Sequence, residues 1–364
     1  MKIVQLITEL QPAGAERIVV NLSKGFNEMG HNVTVISLKE IPEDNHLVQE
    51  LERSNIEVLS LNLKKLQPWK MFGIRKIIKR INPDILHAHL IHANLVSRIT
   101  NIGAKYFLIN TVHIAEKRPG KWWHFFLDRI SSRRCHRQTV VSFAVRDFHA
   151  KKIGVDPRKM PVIYNGIISP AKISSTRRQE LFRQWKIEDC NKVIGSVGRL
   201  EFQKGYDLFL KVLPQLSSKI PEEERWAVVI LGEGLERRLL ENLAMSIPDN
   251  LKVRFPGYRK DAAECIGAMD LFIMPSRYEG FGLTLVEAMA HGVPILASNV
   301  DSLPELIKGY PPGKVIDFDG KNESNVIEAI MGNMGYPERI PIMNFTVAKM
   351  VEGYSELYKK FCPM

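Results

Sequence analysis

The chain has 364 residues, of which 45% are hydrophobic and 25% charged, with a formal net charge of +11. This length favours two domains over one, and the hydrophobic content is sufficient for a core in each. The four cysteines form no CxxC pair, which argues against a disulfide framework or a cysteine zinc site and favours a reducing compartment. They are Cys135, Cys190, Cys265 and Cys362.

The positive charge is concentrated in the first half of the sequence. Residues 1–168 contain 26 Lys and Arg against 14 Asp and Glu, whereas residues 169–364 contain 25 against 26. Such asymmetry indicates that only one half meets a polyanion or an anionic membrane, although a generally solvated surface would also explain it. No nucleic-acid fold signature accompanies the charge, so no nucleic-acid partner is predicted.

The first residues, MKIVQLITEL, predict a strand and not a signal peptide, because polar residues follow without a small-residue cleavage site. No apolar stretch reaches the roughly 20 residues that a transmembrane helix needs. We therefore expect a cytoplasmic protein.

In chain order, short β-branched runs alternate with amphipathic helical patterns. The runs predict strands at 2–8, 32–38, 56–61, 84–89, 106–113, 138–142, 160–165, 193–199, 227–231, 252–256, 271–275 and 294–298. The clearest helical patterns lie at 15–29, 68–81, 122–134 and 345–361. This alternation predicts α/β doubly wound domains with parallel sheets. The Gly-, Pro- and Ser-containing stretch 165–175 is the predicted linker, which gives domains at 1–168 and 169–344.

The most informative stretch is MPSRYEGFGLTLVEAMAHGVPILA, residues 274–297. A strand ends at its start, a glycine-containing loop follows, and a helix begins near Leu283. A helix N-terminus offers free backbone N–H groups, and the glycines allow a ligand to approach the backbone, which suits a pyrophosphate. Glu279 precedes this helix and Glu287 lies about one turn inside it, where a carboxylate suits a vicinal diol. An ordinary surface glutamate is the alternative for Glu287.

Upstream, the sequence VIGSVGRLEFQKG places Arg199 and Lys204 just beyond a predicted strand. Ligands of open α/β sheets bind outside the carboxyl ends of the strands, so these cations are positioned to neutralise a diphosphate. Loop arginines and lysines are common, and the argument depends on their combination with the Glu-Gly-Phe-Gly loop.

The chain resembles the retaining family-4 glycosyltransferases of the GT-B fold over nearly its whole length. The matching pieces, in order, are PAGAER (12–17), PDILHAH (83–89), TVH (111–113), VIYNGI (162–167), VGRLEFQKG (197–205), LGEG (231–234), PSRYEGFGLTLVEAMAHGVPILAS (275–298) and PEL (304–306). The resemblance implies two Rossmann-like domains, an acceptor-binding one at 1–168 and a nucleotide-sugar-binding one at 169–344. It also implies that the final helix, within 345–364, joins the first domain.

In the second domain, Arg199 and Lys204 match the cations that bind the donor diphosphate. Glu287 matches the acid that holds the nucleotide ribose, and Glu279 matches the glutamate beside the donor sugar, which we assign to catalysis. Backbone amides that contact sugar and phosphate are expected at Phe281, Gly282 and Leu283.

In the first domain, Gly14 matches the glycine loop that approaches the donor phosphate, and His113 matches the histidine beside the reacting sugar. The family usually has two glycines before Ala-Glu-Arg, whereas Ala13 precedes Gly14 here. An ordinary strand-end histidine is the alternative for His113.

The resemblance implies front-side displacement, in which the leaving diphosphate helps to deprotonate the acceptor. We expect no cofactor and no metal, because Arg199, Lys204 and the helix start would stabilise the leaving group. A nucleotide-sugar epimerase or hydrolase on the same fold is an alternative, as is a non-catalytic protein that binds a glycan or a lipid.

Two further patterns resemble metal sites. His87, His89 and His92 lack an acidic or cysteine companion at ligand spacing, so a structural or acceptor-side role is favoured. The Asp317-Phe-Asp319 sequence resembles the DxD motif of another transferase fold, but a turn is predicted next to Gly320.

Basic residues alternate with aromatic ones at 117–137 (KRPGKWWHFFLDRISSRRCHR) and at 64–80. Core packing of the aromatics is one explanation, but adjacent tryptophans beside a basic run are also typical of interfacial helices. We predict contact with an anionic membrane through both stretches, on its inner face, and an acceptor that is a lipid-linked sugar or a lipopolysaccharide-type glycolipid. A soluble acceptor attracted by a basic cleft is the alternative.

Overall fold

A computed structural model describes residues 1–63, 71–118, 120–335 and 342–361. The chain divides into two compact units. Unit 1 comprises Met1–Ile168 with Met343–Met364, and unit 2 comprises Ser169–Ile342. Each unit contains one six-stranded parallel sheet with helices around it, so the predicted α/β class is confirmed.

Unit 1 is built on strands β1 (Lys2–Ile7), β2 (Asn32–Ser37), β3 (Glu57–Ser60), β4 (Ile85–His89), β5 (Phe107–Val112) and β6 (Arg137–Val140). Its helices are α1 (Gly14–Glu28), α2 (His46–Arg53), α3 (Met71–Ile81), α4 (Ile91–Thr100), α5 (Trp122–Ser131) and α6 (Phe143–Ile153). The strand order is β3-β2-β1-β4-β5-β6. The central strands are buried on both faces, as expected for a parallel sheet covered by helices.

Unit 2 repeats the plan with β7 (Lys192–Val197), β8 (Trp226–Leu231), β9 (Leu251–Gly257), β10 (Leu271–Met274), β11 (Ile295–Ser298) and β12 (Gly313–Ile316). Its helices are α7 (Ser175–Trp185), α8 (Tyr206–Ser217), α9 (Arg237–Ala244), α10 (Ala262–Ile266), α11 (Leu283–His291), α12 (Leu303–Ile307) and α13 (Glu323–Met331). The strand order is β12-β11-β10-β7-β8-β9.

The last helix, α14 (Val347–Lys359), belongs to unit 1 and packs against α1. Phe26 of α1 stacks on Tyr358 of α14, with ring centroids 4.9 Å apart. A single bridge joins Ile167 to Thr346 at the start of α14. None of the helices in the described part of the chain combines the length and hydrophobicity needed to cross a membrane.

Beyond shifts of one or two residues at the ends of elements, the structure departs from the predicted elements in three places. Residues 160–165 form no strand, and Val162 makes only an isolated bridge to Val140. Pro161 has no N–H to donate, which limits pairing there. The short edge strand β12 was missed, because only three non-glycine residues, Lys314 to Ile316, form it. The helix predicted at 122–134 ends at Ser131 and continues as one 3₁₀ turn. Residues 64–70, part of the predicted basic stretch, lie outside the described residues.

In both sheets the first strand lies at the point where the strand order reverses. In unit 1 this point lies between β1 and β4, and in unit 2 it lies between β7 and β10. Loops leaving neighbouring strands diverge there, and the crevice at the carboxyl ends is the usual ligand site of open α/β sheets.

Candidate functional site

The reversal point of unit 2 carries the predicted donor-binding residues. Arg199 follows the end of β7, and Lys204 ends a 3₁₀ turn, Phe202–Lys204, in the same loop. Gly205 then adopts φ +65°, and a Cβ there would lie 2.1 Å from the carbonyl oxygen of Pro275 in the loop after β10. Glycine therefore permits the two loops to pack backbone to backbone.

Lys204 and Glu279 form an ion pair across these two loops. Lys204 Nζ donates to Glu279 Oε2 at 2.6 Å, and their side chains are only 16% and 11% exposed. The other carboxylate oxygen of Glu279 accepts from the backbone N–H of Gly280 at 3.2 Å, and its backbone N–H donates to Asp301 Oδ2 at 2.9 Å. The two charged groups are therefore held in a fixed geometry at the reversal point of the unit 2 sheet.

Arg277 joins the same loops through a second ion pair. Its guanidinium donates to both carboxylate oxygens of Asp207, at 2.7 Å each, and to the carbonyl oxygen of Phe202 at 2.9 Å. It also lies 3.9 Å from the Phe202 ring centroid. Burial raises the pKa of Asp207, but the hydrogen bonds and charge of Arg277 outweigh this effect and hold it below its usual range.

The N-terminus of α11 lies next to this ion pair. Gly282, at its N-cap, has φ +87° and makes no side-chain cap. A Cβ on Gly282 would lie 2.9 Å from Leu303 and 3.7 Å from the Cγ of Glu279. The start of α11 provides positive potential where an anion can accept hydrogen bonds from backbone amides.

Arg199 and Glu287 occupy more open positions. The Arg199 side chain is 61% exposed and pairs with Glu201 at 3.1 Å. Glu287 is half-buried on α11, whereas its neighbours Val286 and Ala288 are buried. Both side chains are therefore accessible on the unit that carries Lys204.

In unit 1, α1 begins at Gly14 after the loop from β1. Ala13, its N-cap, has an extended backbone and makes no side-chain cap, and Gly14 is exposed. The start of α1 is thus accessible, and the extended backbone of Ala13 does not require a glycine there.

His113 follows β5 and is held by a chain of polar side chains. Its Nε2 lies 3.0 Å from Nδ1 of His89, and His89 Nε2 donates to Gln5 Oε1 at 2.8 Å. The orientation of the Gln5 amide therefore makes His89 Nδ1 an acceptor and places the proton of His113 on Nε2. His113 Nδ1 has no hydrogen-bond partner within the described ranges. Burial lowers the pKa of His113 to about 4.

Two family profiles match this chain. The profile of Glycosyltransferase Family 4 matches residues 12–168, and that of Glycosyl transferases group 1 matches residues 177–332. The chain belongs to the group 1 glycosyltransferases. It is therefore an enzyme that transfers a glycosyl group.

Relatives of this glycosyltransferase match it along its length. The O-antigen biosynthesis glycosyltransferase WclY of Escherichia coli is 28% identical over 98% of this chain and 98% of its own. The UDP-Gal:alpha-D-GlcNAc-diphosphoundecaprenol alpha-1,3-galactosyltransferase of Escherichia coli is 24% identical over 95% of this chain and 93% of its own. The structure of Anabaena HepE in complex with UDP-glucose aligns with a TM-score of 0.82 at 20% identity, covering 99% of this chain and 100% of HepE. This likeness confirms the predicted GT-B fold.

The glycosyltransferase has a second network of polar side chains in unit 1, which the sequence did not reveal. His87 Nδ1 lies 2.7 Å from Tyr358 Oη, and His87 Nε2 lies 2.6 Å from Thr111 Oγ1. Thr111 Oγ1 also lies 3.1 Å from Tyr354 Oη. Tyr354 and Tyr358 belong to α14, so the last helix completes a buried network at the centre of unit 1. His87 and His89 are fully buried and hydrogen-bonded inside unit 1, which favours the structural alternative over the acceptor-side one.

The Asp317-Phe-Asp319 sequence forms the turn that was predicted. Asp319 Oδ1 accepts from the backbone N–H of Lys321 at 2.9 Å, while Phe318 is buried. Within the described ranges, no group of three or more His, Cys, Asp or Glu side chains has the geometry of a metal site.

In unit 2 the fold brings Lys204, Glu279 and the start of α11 together, and Gly14 and His113 follow β1 and β5 in unit 1. Sequence analysis missed the Arg277–Asp207 pair. The sequence shows an arginine one residue after Ser276 in the matched loop. Its role becomes apparent only when its partner on α8, Asp207, is known.

Proposed function

We propose that this glycosyltransferase transfers a hexosyl group from a UDP-sugar onto a lipid-linked or lipopolysaccharide-type glycan, with retention of configuration and without a metal ion or cofactor. The observation that carries the proposal is the position of Lys204 beside the uncapped start of α11, at the reversal point of the unit 2 sheet. This arrangement presents one fixed cation and several amides to a diphosphate.

The donor contacts follow from this arrangement. Lys204 and Arg199 bind the diphosphate, together with the amides of Phe281, Gly282 and Leu283. Glu287 accepts hydrogen bonds from the ribose, because its half-exposed carboxylate lies one turn inside the same helix. Glu279, held beside Lys204, contacts the sugar.

In the proposed reaction the bond between the anomeric carbon and the diphosphate oxygen breaks while the acceptor oxygen bonds to the same face of the sugar. The acceptor proton passes to the departing diphosphate. Lys204 and Arg199 stabilise the negative charge that develops on that diphosphate. With a pKa of about 4, His113 is neutral at physiological pH and contributes a polar contact beside the sugar, not a proton.

Donor and acceptor classes are supported by the relatives. The structure of HepE contains UDP-glucose. The Escherichia coli galactosyltransferase is named for UDP-Gal and for a GlcNAc linked to diphosphoundecaprenol. WclY is named for O-antigen biosynthesis. A UDP-hexose and a membrane lipid carrying a glycan are therefore the substrates to test first.

Access to such an acceptor requires contact with a membrane surface, which we place on unit 1 as a peripheral contact at the cytoplasmic face. Arg133, Arg134 and Arg137 are exposed at the end of the basic-aromatic segment. Each basic residue near an anionic leaflet contributes about 1 kcal/mol to the free energy of membrane binding. Because this attraction is electrostatic, it weakens as the salt concentration rises. Anionic liposomes should therefore co-sediment with the protein at low salt, and changing these three arginines to Glu should weaken the binding.

The matched control for the liposome experiment reverses three exposed basic residues of unit 2, namely Lys219, Arg225 and Arg238. It removes the same net charge and should leave binding intact. Equal losses in both triple variants would mean that net charge alone governs binding and would refute a specific surface.

The test of the reaction incubates the full chain with a panel of nucleotide sugars and a lipid-linked glycan and identifies the product anomer by NMR. Product with the anomeric configuration of the donor supports the proposal. Release of free sugar at the same rate without any acceptor would instead identify a hydrolase, and an inverted product would refute retention.

A further inference from the structure

Helix α5 has its polar face inside unit 1 and its aromatic face outside. His124 and Asp128 are buried, at 4% and 1% exposure. Trp122, Phe126 and Ile130 are 73%, 55% and 60% exposed. This is the reverse of the usual amphipathic arrangement, in which the apolar side packs on the core.

A buried ion network fixes this orientation. Asp128 accepts an ion-paired hydrogen bond from the fully buried Arg98 of α4, and its other oxygen lies 2.5 Å from His149 Nε2 and accepts from Gln138 at 2.9 Å. Burial raises the pKa of Asp128, but the His149 hydrogen bond and the Arg98 charge outweigh it and hold the pKa well below its usual range. Rotating α5 to bury the aromatics would expel this carboxylate from its partners, at the high cost of breaking a buried pair.

The outward aromatics line a groove between α5 and α6. The groove has a volume of about 590 Å³ and includes Trp122, Phe125 and Phe126 of α5 with Phe148 of α6. This volume lies within the range of small-molecule sites. Exposed aromatic surface gathered in one concave patch is typical of a binding site, whereas scattered exposed side chains are not.

The rim of the groove is positively charged. Of the described residues that line it, five are Lys or Arg and one, Glu116, is acidic. Glu116 pairs with Arg118, at 2.5 Å between Oε2 and Nη2. Lys117 and Lys152 lie 5.7 and 5.5 Å from the Phe148 ring centroid, so cationic groups border the aromatic floor directly. A ligand for this groove therefore needs an apolar body and an anionic group.

The groove begins close to the candidate reaction site of unit 1. Glu116, which lines it, is three residues beyond His113. Three residues span at most roughly 11 Å of extended chain. A molecule anchored in the groove by its lipid and phosphate can therefore present an attached sugar near His113.

We infer that this groove binds the hydrocarbon chain and phosphate of an anionic prenyl or acyl lipid, the carrier of the acceptor glycan. The inference rests on the proposed function for the identity of that lipid. A second copy of the chain is a poorer occupant, because apposing the same face would bring two positively charged rims together. A neutral lipid would gain no electrostatic attraction from the excess of Lys and Arg over acidic residues on the rim.

Binding can be measured without catalysis, using farnesyl diphosphate as the probe and the full chain saturated with UDP. Saturation prevents inorganic or lipid diphosphate from reporting on the donor site. Calorimetry should show binding of farnesyl diphosphate, at least about tenfold weaker binding of farnesol, and at least about tenfold weaker binding of inorganic diphosphate, because each lacks one of the two contacts. The Trp122→Ser and Phe126→Ser variants should each lose about tenfold in affinity, as expected for one large apolar contact. Met245→Ser removes another exposed apolar side chain, in unit 2, and should bind as the wild type does.

Several results would overturn the inference. One is unchanged affinity in a Trp122→Ser, Phe126→Ser double variant with an unaltered circular dichroism spectrum. A second is binding of the protein, dependent on Trp122 and Phe126, to anionic vesicles but not to dispersed farnesyl diphosphate. That result would assign the aromatic face of α5 to contact with the membrane surface. A third is a dimer in light scattering that the double variant dissociates.

The transfer reaction supplies an independent readout. The wild type should have a lower KM for a long-chain lipid acceptor than for a short-chain analogue carrying the same glycan, and the double variant should reduce that preference at least about tenfold. A preserved preference would contradict the groove assignment. Lipid binding without any transfer would refute the proposed function and leave the groove intact, so the two failures are distinguishable.

Discussion

Lys204 and Glu279, which lie in the loops after β7 and β10 of the unit 2 sheet, meet at 2.6 Å between Nζ and Oε2. The ammonium assigned to the donor diphosphate is therefore already neutralised by the carboxylate assigned to the donor sugar. Because both side chains are mostly buried, neither charge is screened fully by water. In the proposed donor complex the diphosphate takes the place of Glu279 as the partner of Lys204, and the neighbouring carboxylate can then contact the sugar.

The first prediction concerns this pair. Glu279→Gln removes the competing charge from Lys204, so UDP should bind at least as tightly as to the wild type, and by up to roughly tenfold more tightly, while turnover falls. Calorimetry with UDP and steady-state kinetics measure the two effects separately. Glu201→Gln, which removes the partner of the exposed Arg199, is the matched control and should change both quantities little. Weaker UDP binding in Glu279→Gln would show that the carboxylate supports the diphosphate site instead of competing with it.

The second prediction concerns Arg277, which touches no proposed ligand. Arg277→Met should lower both the melting temperature and the affinity for UDP, because it leaves Asp207 without its partner and frees the Lys204 loop from the loop after β10. Arg277→Lys should recover less than half of the loss, since one ammonium cannot replace two parallel hydrogen bonds. A variant with wild-type UDP affinity would show that the loops hold their geometry without this contact.

The third prediction concerns Glu287. Glu287→Ala should weaken UDP binding by about 1–3 kcal/mol, the usual range for lost hydrogen bonds to a charged group. The comparison of UDP with 2′-deoxy-UDP provides the control, because the preference of the wild type for the ribonucleotide should disappear in the variant. A preference that survives the substitution would place the ribose elsewhere.

The fold was predictable from the sequence because its information is local and repeated. Each apolar run followed by a helical pattern gives a βα unit, and the loop after β10 combines Glu279, Gly282 and the start of α11 within a few residues. The order of the strands then brings Arg199 and Lys204 to the same edge. The pairing of β7 with β10, which the fold class implies, is the long-range contact that this part of the site requires.

The remaining features depend on partners far apart in the chain. Tyr358 meets His87 across 271 residues, and Arg277 meets Asp207 across 70. The orientation of α5 was ambiguous for the same reason, since aromatic residues at helical spacing usually pack inside. The buried partners of Asp128, namely Arg98, His149 and Gln138, decide that Asp128 faces inward and Trp122 outward.

The fourth prediction concerns metal dependence. Since Lys204, Arg199 and the amides of α11 are proposed to stabilise the leaving diphosphate, activity should survive an excess of EDTA. Lys204→Ala should lose most of the activity, and added Mg²⁺ or Mn²⁺ should not restore it. Loss of wild-type activity in EDTA with recovery on adding Mn²⁺ would refute the proposal and direct attention to Asp317 and Asp319.

The last prediction concerns the buried histidines of unit 1. Burial holds the pKa values of His87 and His89 well below the usual range and lowers that of His113 to about 4. In the unfolded chain these rings take up protons near pH 6.5, whereas in the folded state they stay neutral. The unfolded state therefore binds more protons below that pH, so the free energy of unfolding should be constant above about pH 7 and fall between pH 6.5 and 5.

Urea titrations at several pH values measure this pH dependence. In the His87→Gln and His113→Asn variants the dependence should be shallower than in the wild type. Tyr358→Phe, which leaves a nitrogen of His87 without its partner, should cost about 1–3 kcal/mol at pH 7.5. A free energy of unfolding that does not change between pH 7 and pH 5 would mean that these rings are protonated in the folded chain, contrary to their burial.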